Sequence, residues 1–65
     1  MAEYFYKSEE AEDYIKRTSY PVALYARIEL HGAQQWMVDH QDRGRGSSIH
    51  VLEDLTHNVP AIRKK

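Results

Sequence analysis

Residues 21–31, PVALYARIELH, alternate along the chain in a way that constrains the fold more than any other feature. Every second position from Val22 onward is apolar: Val22, Leu24, Ala26, Ile28 and Leu30. Because successive side chains of a strand point to opposite faces, this period of two predicts a strand with one buried face. The intervening positions, Tyr25 and Arg27 among them, are then predicted to face outward.

A second strand is predicted over residues 35–40, QWMVDH, after a short turn at residues 32–34. The two strands would form an antiparallel hairpin in which Arg27 lies opposite Asp39 on the outer face, as an opposite-charge pair. A register shifted by one residue would instead turn Gln35 toward the apolar face, so the first register is favoured.

The clearest helix signal covers residues 8–19, SEEAEDYIKRTS. Ser8 is expected to cap its first turn, where acidic residues also follow, and Asp13 and Arg17 form an acid-first pair four residues apart. The residues predicted to face inward are Ala11, Tyr14, Ile15 and Thr18. Residues 2–7 fit either an added edge strand or an extra helical turn, and the strand is the preferred interpretation.

Residues 47–58, SSIHVLEDLTHN, fit two interpretations. As a strand, the alternation fails after three residues, whereas as a helix all the apolar residues fall within about half of the circumference. A second helix is therefore predicted, although the β-branched Ile49 and Val51 keep a strand as the alternative.

The predicted architecture is one α+β domain over residues 1–65, with the order helix, antiparallel hairpin, helix, and with an optional N-terminal edge strand. Both helices would cover one apolar face of the hairpin. That face is predicted to comprise Leu24, Ile28, Leu30, Trp36 and Val38.

A loop rich in glycine and arginine at residues 42–47 precedes the predicted second helix. Glycines let an anion approach the backbone at a helix N-terminus, so Arg43, Arg45, Ser47 and Ser48 are candidates for contacts with a phosphate or a nucleic acid. The spacing matches neither of the common phosphate-binding glycine motifs, so a plain connector is favoured. The basic tail at residues 60–65 adds three bases, but a frayed terminus explains it equally simply.

Composition narrows the functional classes. The chain of 65 residues has no cysteine, which excludes disulfides and thiolate zinc sites, and its net charge of −1 argues against a strongly basic nucleic-acid binder. It has no apolar run long enough to span a membrane and no signal-peptide pattern, so a cytoplasmic protein is expected. A core of this size is thin, and a homodimer is the simplest way to supplement it.

Five tyrosines lie within the first 25 residues, and tyrosine is enriched at protein interfaces. Together with the outer face of the first strand they predict a protein-interaction surface, and the alternative is that Tyr14 and one or two others complete a small core. The candidate residues are Tyr4, Tyr6, Tyr20, Tyr25 and Arg27.

Catalysis and metal binding are less favoured. His50, Glu53, Asp54 and His57 would share the polar face of the predicted second helix, but their spacing is not that of a known metal site. A small non-catalytic interaction or regulatory protein without a cofactor is therefore expected, and a nucleic-acid-binding module using the Gly/Arg loop and the basic tail is the alternative.

Overall fold

A four-stranded antiparallel sheet and one α-helix make up the computed structural model, which describes residues 1–41 and 49–62. The elements in chain order are β1 (Ala2–Phe5), α1 (Ser8–Arg17), β2 (Leu24–Leu30), β3 (Ala33–Asp39), β4 (Ile49–Asp54) and a 3-10 helix (Thr56–Asn58). The strands lie in the order β1-β3-β2-β4. The α+β class is confirmed, but the helix–hairpin–helix order is wrong, because the described residues contain a single α-helix.

Helix α1 and strand β1 confirm the predictions for the first part of the chain. The helix begins at Ser8, and its inward residues Ala11 and Ile15 are buried. Its Asp13 and Arg17 form the expected ion pair at 2.8 Å. Ser8 is not the cap, however: the capping position is Lys7, which makes no side-chain capping hydrogen bond.

The turn of the β2–β3 hairpin begins one residue earlier than predicted and is one residue shorter. Leu30 pairs with Ala33, so the turn consists of His31 and Gly32 alone, with φ angles of 52° and 82°. Positive φ at both central residues is the signature of a type I′ turn, whose twist matches that of the flanking strands. The predicted register is therefore wrong.

The corrected register reverses the two faces of β3. Arg27 pairs with Trp36, which lies three positions before the predicted partner Asp39. Because three is an odd number, every side chain of β3 changes face relative to β2. Gln35, which the prediction kept away from the apolar face, is buried opposite Ile28.

The sheet consequently has an apolar cluster on each face. On the helix face, Tyr25 and Val38 pack with Ala11 and Ile15 of α1 and with Val59. The second face carries the other cluster, which comprises Leu24, Ala26, Ile28 and Met37. The single apolar face predicted for the hairpin is wrong, since Trp36 and Val38 lie on the helix face and Leu24, Ile28 and Leu30 on the second face.

Strand β4 occupies part of the segment predicted to be the second helix. It pairs with β2, where Ile49 lies opposite Leu30 and Val51 lies opposite Ile28. A bulge then leaves Leu52 without a partner. The bulge explains why the alternation fails after three residues, since one extra residue resets the period of two. Pairing along the edge of β2 satisfies backbone groups between strands, which the helical periodicity of the sequence cannot reveal.

Thr56 joins the end of β4 to the start of β2. The Tyr25 amide donates to Thr56 Oγ1 at 3.0 Å, and the Leu55 amide donates to the Tyr25 carbonyl at 2.8 Å. The Thr56 hydroxyl in turn lies 2.6 Å from Asp54 Oδ1 and donates to that carboxylate. These hydrogen bonds extend the β2–β4 ladder beyond Asp54 and bring residues 55–62 onto the helix face.

Candidate protein-interaction surface

His40 connects four parts of the chain at one end of the sheet. Its backbone amide donates to the Met1 carbonyl at 3.0 Å, and its Nδ1 lies 2.9 Å from the Pro21 carbonyl. Because a carbonyl only accepts, Nδ1 carries the proton in this contact. In the neutral ring Nε2 then accepts from the Tyr14 hydroxyl, which lies 2.7 Å away.

The same junction holds the connection between α1 and β2. The Tyr20 amide donates to Thr18 Oγ1 at 3.2 Å, and the Ala23 amide donates to the Asp39 carbonyl at 2.8 Å. The ring of Tyr20 lies edge-on to His40, with their centroids 5.9 Å apart. Tyr20 is nevertheless 66% exposed, so a tyrosine is presented to solvent on a connection that is fixed at both ends.

A half-open groove of about 300 Å³ lies beside Tyr20, between the end of α1 and residues 61–62. Its lining combines apolar residues with three residues that carry hydroxyl groups. The lining residues are Ile15, Thr18, Ser19, Tyr20, Pro21, Val22, Ala61 and Ile62. A volume at the lower end of the range for ligand sites suits one or two apolar side chains of a partner. We call Tyr20 and this groove the Tyr20 surface.

Tyr4 and Tyr6 are exposed but lie apart from the Tyr20 surface. Tyr4, 40% exposed, pairs with Met37 and therefore points to the second face of the sheet. Tyr6, 71% exposed, follows β1 just before α1 begins, whereas Tyr20 follows the other end of the helix. The tyrosines predicted to bind a partner thus do not form one surface.

Tyr25 is a core residue rather than an outward-facing one. It is 1% exposed, and its hydroxyl donates to Glu12 of α1 at 3.2 Å. Burial, assisted by the negative charge of Glu12, raises the pKa of Tyr25 well above its usual range. The prediction that Tyr25 faces outward is wrong, because α1 packs over the face of the sheet on which Tyr25 lies.

Arg27 is half-buried and is engaged within the sheet. Its guanidinium lies 3.5 Å from Glu53 of β4, instead of pairing with Asp39. An ion pair of this kind on a sheet surface contributes little to stability. It nevertheless engages part of the Arg27 guanidinium, which is then not fully available to a partner.

The candidate anion contacts, Arg43, Arg45, Ser47 and Ser48, lie outside the described residues. The same holds for the whole Gly/Arg loop at 42–47 and for the last three residues of the basic tail.

His50, Glu53 and Asp54, which were predicted to lie on the polar face of a helix, lie on strand β4. His50 lies on β4 with its Nδ1 3.7 Å from Glu29 of β2, and His57 lies in the 3-10 helix. Among residues 1–41 and 49–62, no group of three or more histidine or carboxylate side chains is placed to hold a metal ion.

Sequence reasoning missed His40 as an organising residue. Its two ring partners, Pro21 and Tyr14, are 19 and 26 positions away along the chain, and no local periodicity links them. The position of His40 at the end of a predicted strand was the sole available signal, and it is weak.

Comparisons of the chain with family models, with curated proteins and with solved structures returned no match. None of the helices in the described part of the chain has the length and apolar character needed to cross a membrane.

Proposed function

We propose that this chain is a small non-catalytic protein that acts by binding another protein in the cytoplasm, and that it does so as a homodimer. The Tyr20 surface is the contact for the partner. An apolar side chain of the partner enters the groove while the exposed ring of Tyr20 packs against its neighbours.

The observation that carries this proposal is the fixed exposure of Tyr20. Its ring rests on His40, which is itself held by Pro21 and Tyr14. A large amphipathic side chain that is already ordered binds without paying much further conformational entropy. Tyr4 and Tyr6 are exposed as well, but neither of them lines this groove.

The use of both ring nitrogens of His40 supports a non-catalytic function. A histidine that acts as a general base takes the proton from a group that is hydrogen-bonded to one of its ring nitrogens. Here Nδ1 is engaged with the Pro21 carbonyl and Nε2 with the Tyr14 hydroxyl. Neither nitrogen is left to take a proton from a molecule in the groove.

Photo-crosslinking from position 20 tests the proposal. Tyr20 is replaced by benzoylphenylalanine, the protein is irradiated in a lysate of its host, and a crosslinked partner is identified and purified. The matched control carries the same group in place of Tyr6, which is equally exposed at the other end of α1. We expect a partner that crosslinks from position 20 and not from position 6.

The affinity of the purified partner for the chain and its variants is then measured. We expect Tyr20→Ala to weaken binding at least about tenfold, as a truncated aromatic anchor does, while Tyr6→Ala leaves it unchanged. Equal crosslinking from both positions, or an affinity that is insensitive to Tyr20→Ala, would contradict the Tyr20 surface.

A second candidate function, nucleic-acid binding, is favoured by the uneven distribution of charge along the sequence. Nine of the ten acidic residues lie in the described parts of the chain, whereas five of the nine lysines and arginines lie in residues 42–48 and 63–65. Basic segments attached to an acidic domain are suited to phosphate contacts.

A gel-shift titration at low and at higher salt distinguishes the two candidates. If the basic segments bind nucleic acid, Arg43→Ala combined with Arg45→Ala should weaken binding for all sequences and reduce its salt dependence, because fewer counterions are released. Absence of any shift at low salt would rule out this second candidate and leave the protein-binding proposal unaffected.

A further inference from the structure

Strand β4 forms one edge of the sheet, and its outer side pairs with no strand in the described part of the chain. An edge strand presents unpaired N–H and C=O groups, which are a template for another strand. The two edge strands are β1, with four residues, and β4, with six. In β4 the three residues before the bulge, Ile49–Val51, keep the regular alternation of a strand and are the part that can pair with a further strand.

The apolar cluster on the second face extends to this edge. Ile28, in the middle of β2, is fully buried, whereas its neighbours Val51 and Ile49 on β4 are only partly buried. A strand added beside β4 with apolar side chains at matching positions would continue the cluster and cover both residues.

A second copy of β4 supplies such side chains when the two strands run antiparallel with His50 opposite His50. In that register Ile49 of each copy faces Val51 of the other on the second face, and β-branched pairs of this kind stabilise a sheet. The register uses residues that precede the bulge at Leu52, where the alternation is intact. Centring the pair on Val51 would instead place Ile49 against Glu53, which lies on the opposite face with Arg27.

The helix face is compatible with this register. His50 lies 3.7 Å from Glu29 on the adjacent strand, so the dimer would carry the row Glu29, His50, His50, Glu29 across its axis. Each imidazole therefore has a carboxylate beside it. The edge of β1 lacks this complementarity, because a pair centred on Glu3 would place two carboxylates directly opposite each other.

We infer that the chain forms a two-fold symmetric dimer through antiparallel pairing of β4 with β4 of a second copy, centred on His50. This inference names the interface of the proposed homodimer and rests on that part of the proposed function, but it does not depend on the Tyr20 surface. The product is a continuous eight-stranded sheet with an isologous contact, in which the same residues of each copy meet.

Disulfide trapping tests the register directly, because the chain has no cysteine of its own. Directly opposite residues of an antiparallel pair have Cα atoms about 4.5–5.5 Å apart, which suits a disulfide. We expect His50→Cys to form a covalent dimer in a glutathione redox buffer at micromolar protein. Glu29→Cys, exposed on the same face one strand inward, is the matched control, since its two copies would lie about 14 Å apart.

A second control and a mass measurement complete the test. Tyr4→Cys reports pairing through β1, and we expect it to remain monomeric under the same conditions. Sedimentation equilibrium should show a dimer for the unaltered chain, and Val51→Lys, which places a charge in the paired row, should shift it to monomer while its circular dichroism keeps the folded signature. Tyr4→Lys should remain dimeric.

The outcomes separate this inference from the proposed function. A dimer that is trapped by Tyr4→Cys, or equally by Glu29→Cys and His50→Cys, would overturn the β4 interface but keep the homodimer. A monomer at all concentrations up to about 100 µM, with no trapping of His50→Cys, would overturn the inference and the homodimer together. Neither result bears on crosslinking from position 20, which tests protein binding by itself.

Discussion

The two edge strands, β1 and β4, are attached to the central hairpin in different ways. β1 pairs with β3 in an uninterrupted register and leads directly into α1, whose buried side chains pack against the same sheet. β4 pairs with β2 on both sides of a bulge, and after Asp54 the Thr56 hydrogen bonds hold its end in place.

Buried side chains of α1 support the sheet next to β1, whereas the end of β4, whose apolar side chains are partly buried, is also held by directional hydrogen bonds to Thr56. Burial is non-directional and scales with the area removed from water, so it tolerates small displacements. A hydrogen bond to a single hydroxyl depends on distance and angle, and its loss leaves a backbone group without a partner. The two edges should therefore respond differently to substitution.

The largest effect is expected at the edge that burial secures. Ile15→Ala removes a buried side chain, 5% exposed, from the contact between α1 and the sheet, and should lower the free energy of unfolding by about 2–5 kcal/mol. Ile49→Ala on β4 is the matched control and should cost less, since Ile49 is only partly buried. Urea denaturation gives both values, and equal costs would remove the contrast between the edges.

Thr56→Val tests the edge that hydrogen bonds secure. The substitution keeps the shape of the side chain but leaves the Tyr25 amide without its acceptor, at a cost of about 1–3 kcal/mol. Hydrogen exchange should show the loss of protection concentrated in β4 and not in β1.

Thr18→Val is the control for that substitution. Within residues 1–41 and 49–62, the hydrogen bond found for the Thr18 hydroxyl is an exposed one, which it accepts from the Tyr20 amide. A loss of protection spread evenly over both edges would contradict the role assigned to Thr56.

Tyr25 belongs to both attachments, since its side chain contacts α1 and its backbone holds the end of β4. Its raised pKa means that the fold favours the neutral phenol, so this contribution to stability is complete below the usual tyrosine pKa of about 10 and is lost as the pH rises toward the raised value. The free energy of unfolding should therefore fall above pH 10, by up to about 1.4 kcal/mol per pH unit from this group.

Tyr25→Phe should remove that part of the alkaline slope, whereas Tyr6→Phe, at an exposed position, should keep it. Urea denaturation between about pH 8 and pH 11 measures the slopes. An unchanged slope in Tyr25→Phe would show that the phenol is not held neutral by the fold.

The smallest effect is expected at the hairpin turn, which joins the two strands with which β1 and β4 pair. A Cβ added at Gly32 meets no atom within 4 Å, so Gly32→Ala should cost about 1 kcal/mol through its positive φ alone. Thermal denaturation measures this cost, and hydrogen exchange should show an equal loss of protection at β1 and β4, because the turn fixes the register of both. A cost close to zero would argue against the type I′ turn.

The first part of the fold was predictable because its signals are local. Acid-first pairs and a period near 3.6 fall within the twelve residues predicted for α1, and the helix begins at the predicted residue, although Ser8 does not cap it. The strands β2 and β3 were predicted for the same reason, since alternation is also a local property.

The register and the second edge were not predictable in the same way. Moving the turn from residues 32–34 to His31 and Gly32 reverses one face of β3, and the composition of either face allows both choices, since Trp36 and Gln35 each find a buried or partly buried place. For β4, the bulge at Leu52 breaks the alternation that identifies a strand. Of the interaction site, Tyr20 was predicted as an exposed tyrosine, but His40 and the groove were not.

The sequence by itself determined the α+β class, the position of α1 and the existence of the hairpin, because each depends on contacts between residues close together in the chain. Only the tertiary structure decided which faces of the strands are apolar, that Ile49–Asp54 is a strand, and that His40 presents Tyr20 to solvent. Those features depend on backbone pairing and on side-chain contacts that the local periodicity of the sequence does not encode, and their free energy is gained only when the chain has folded.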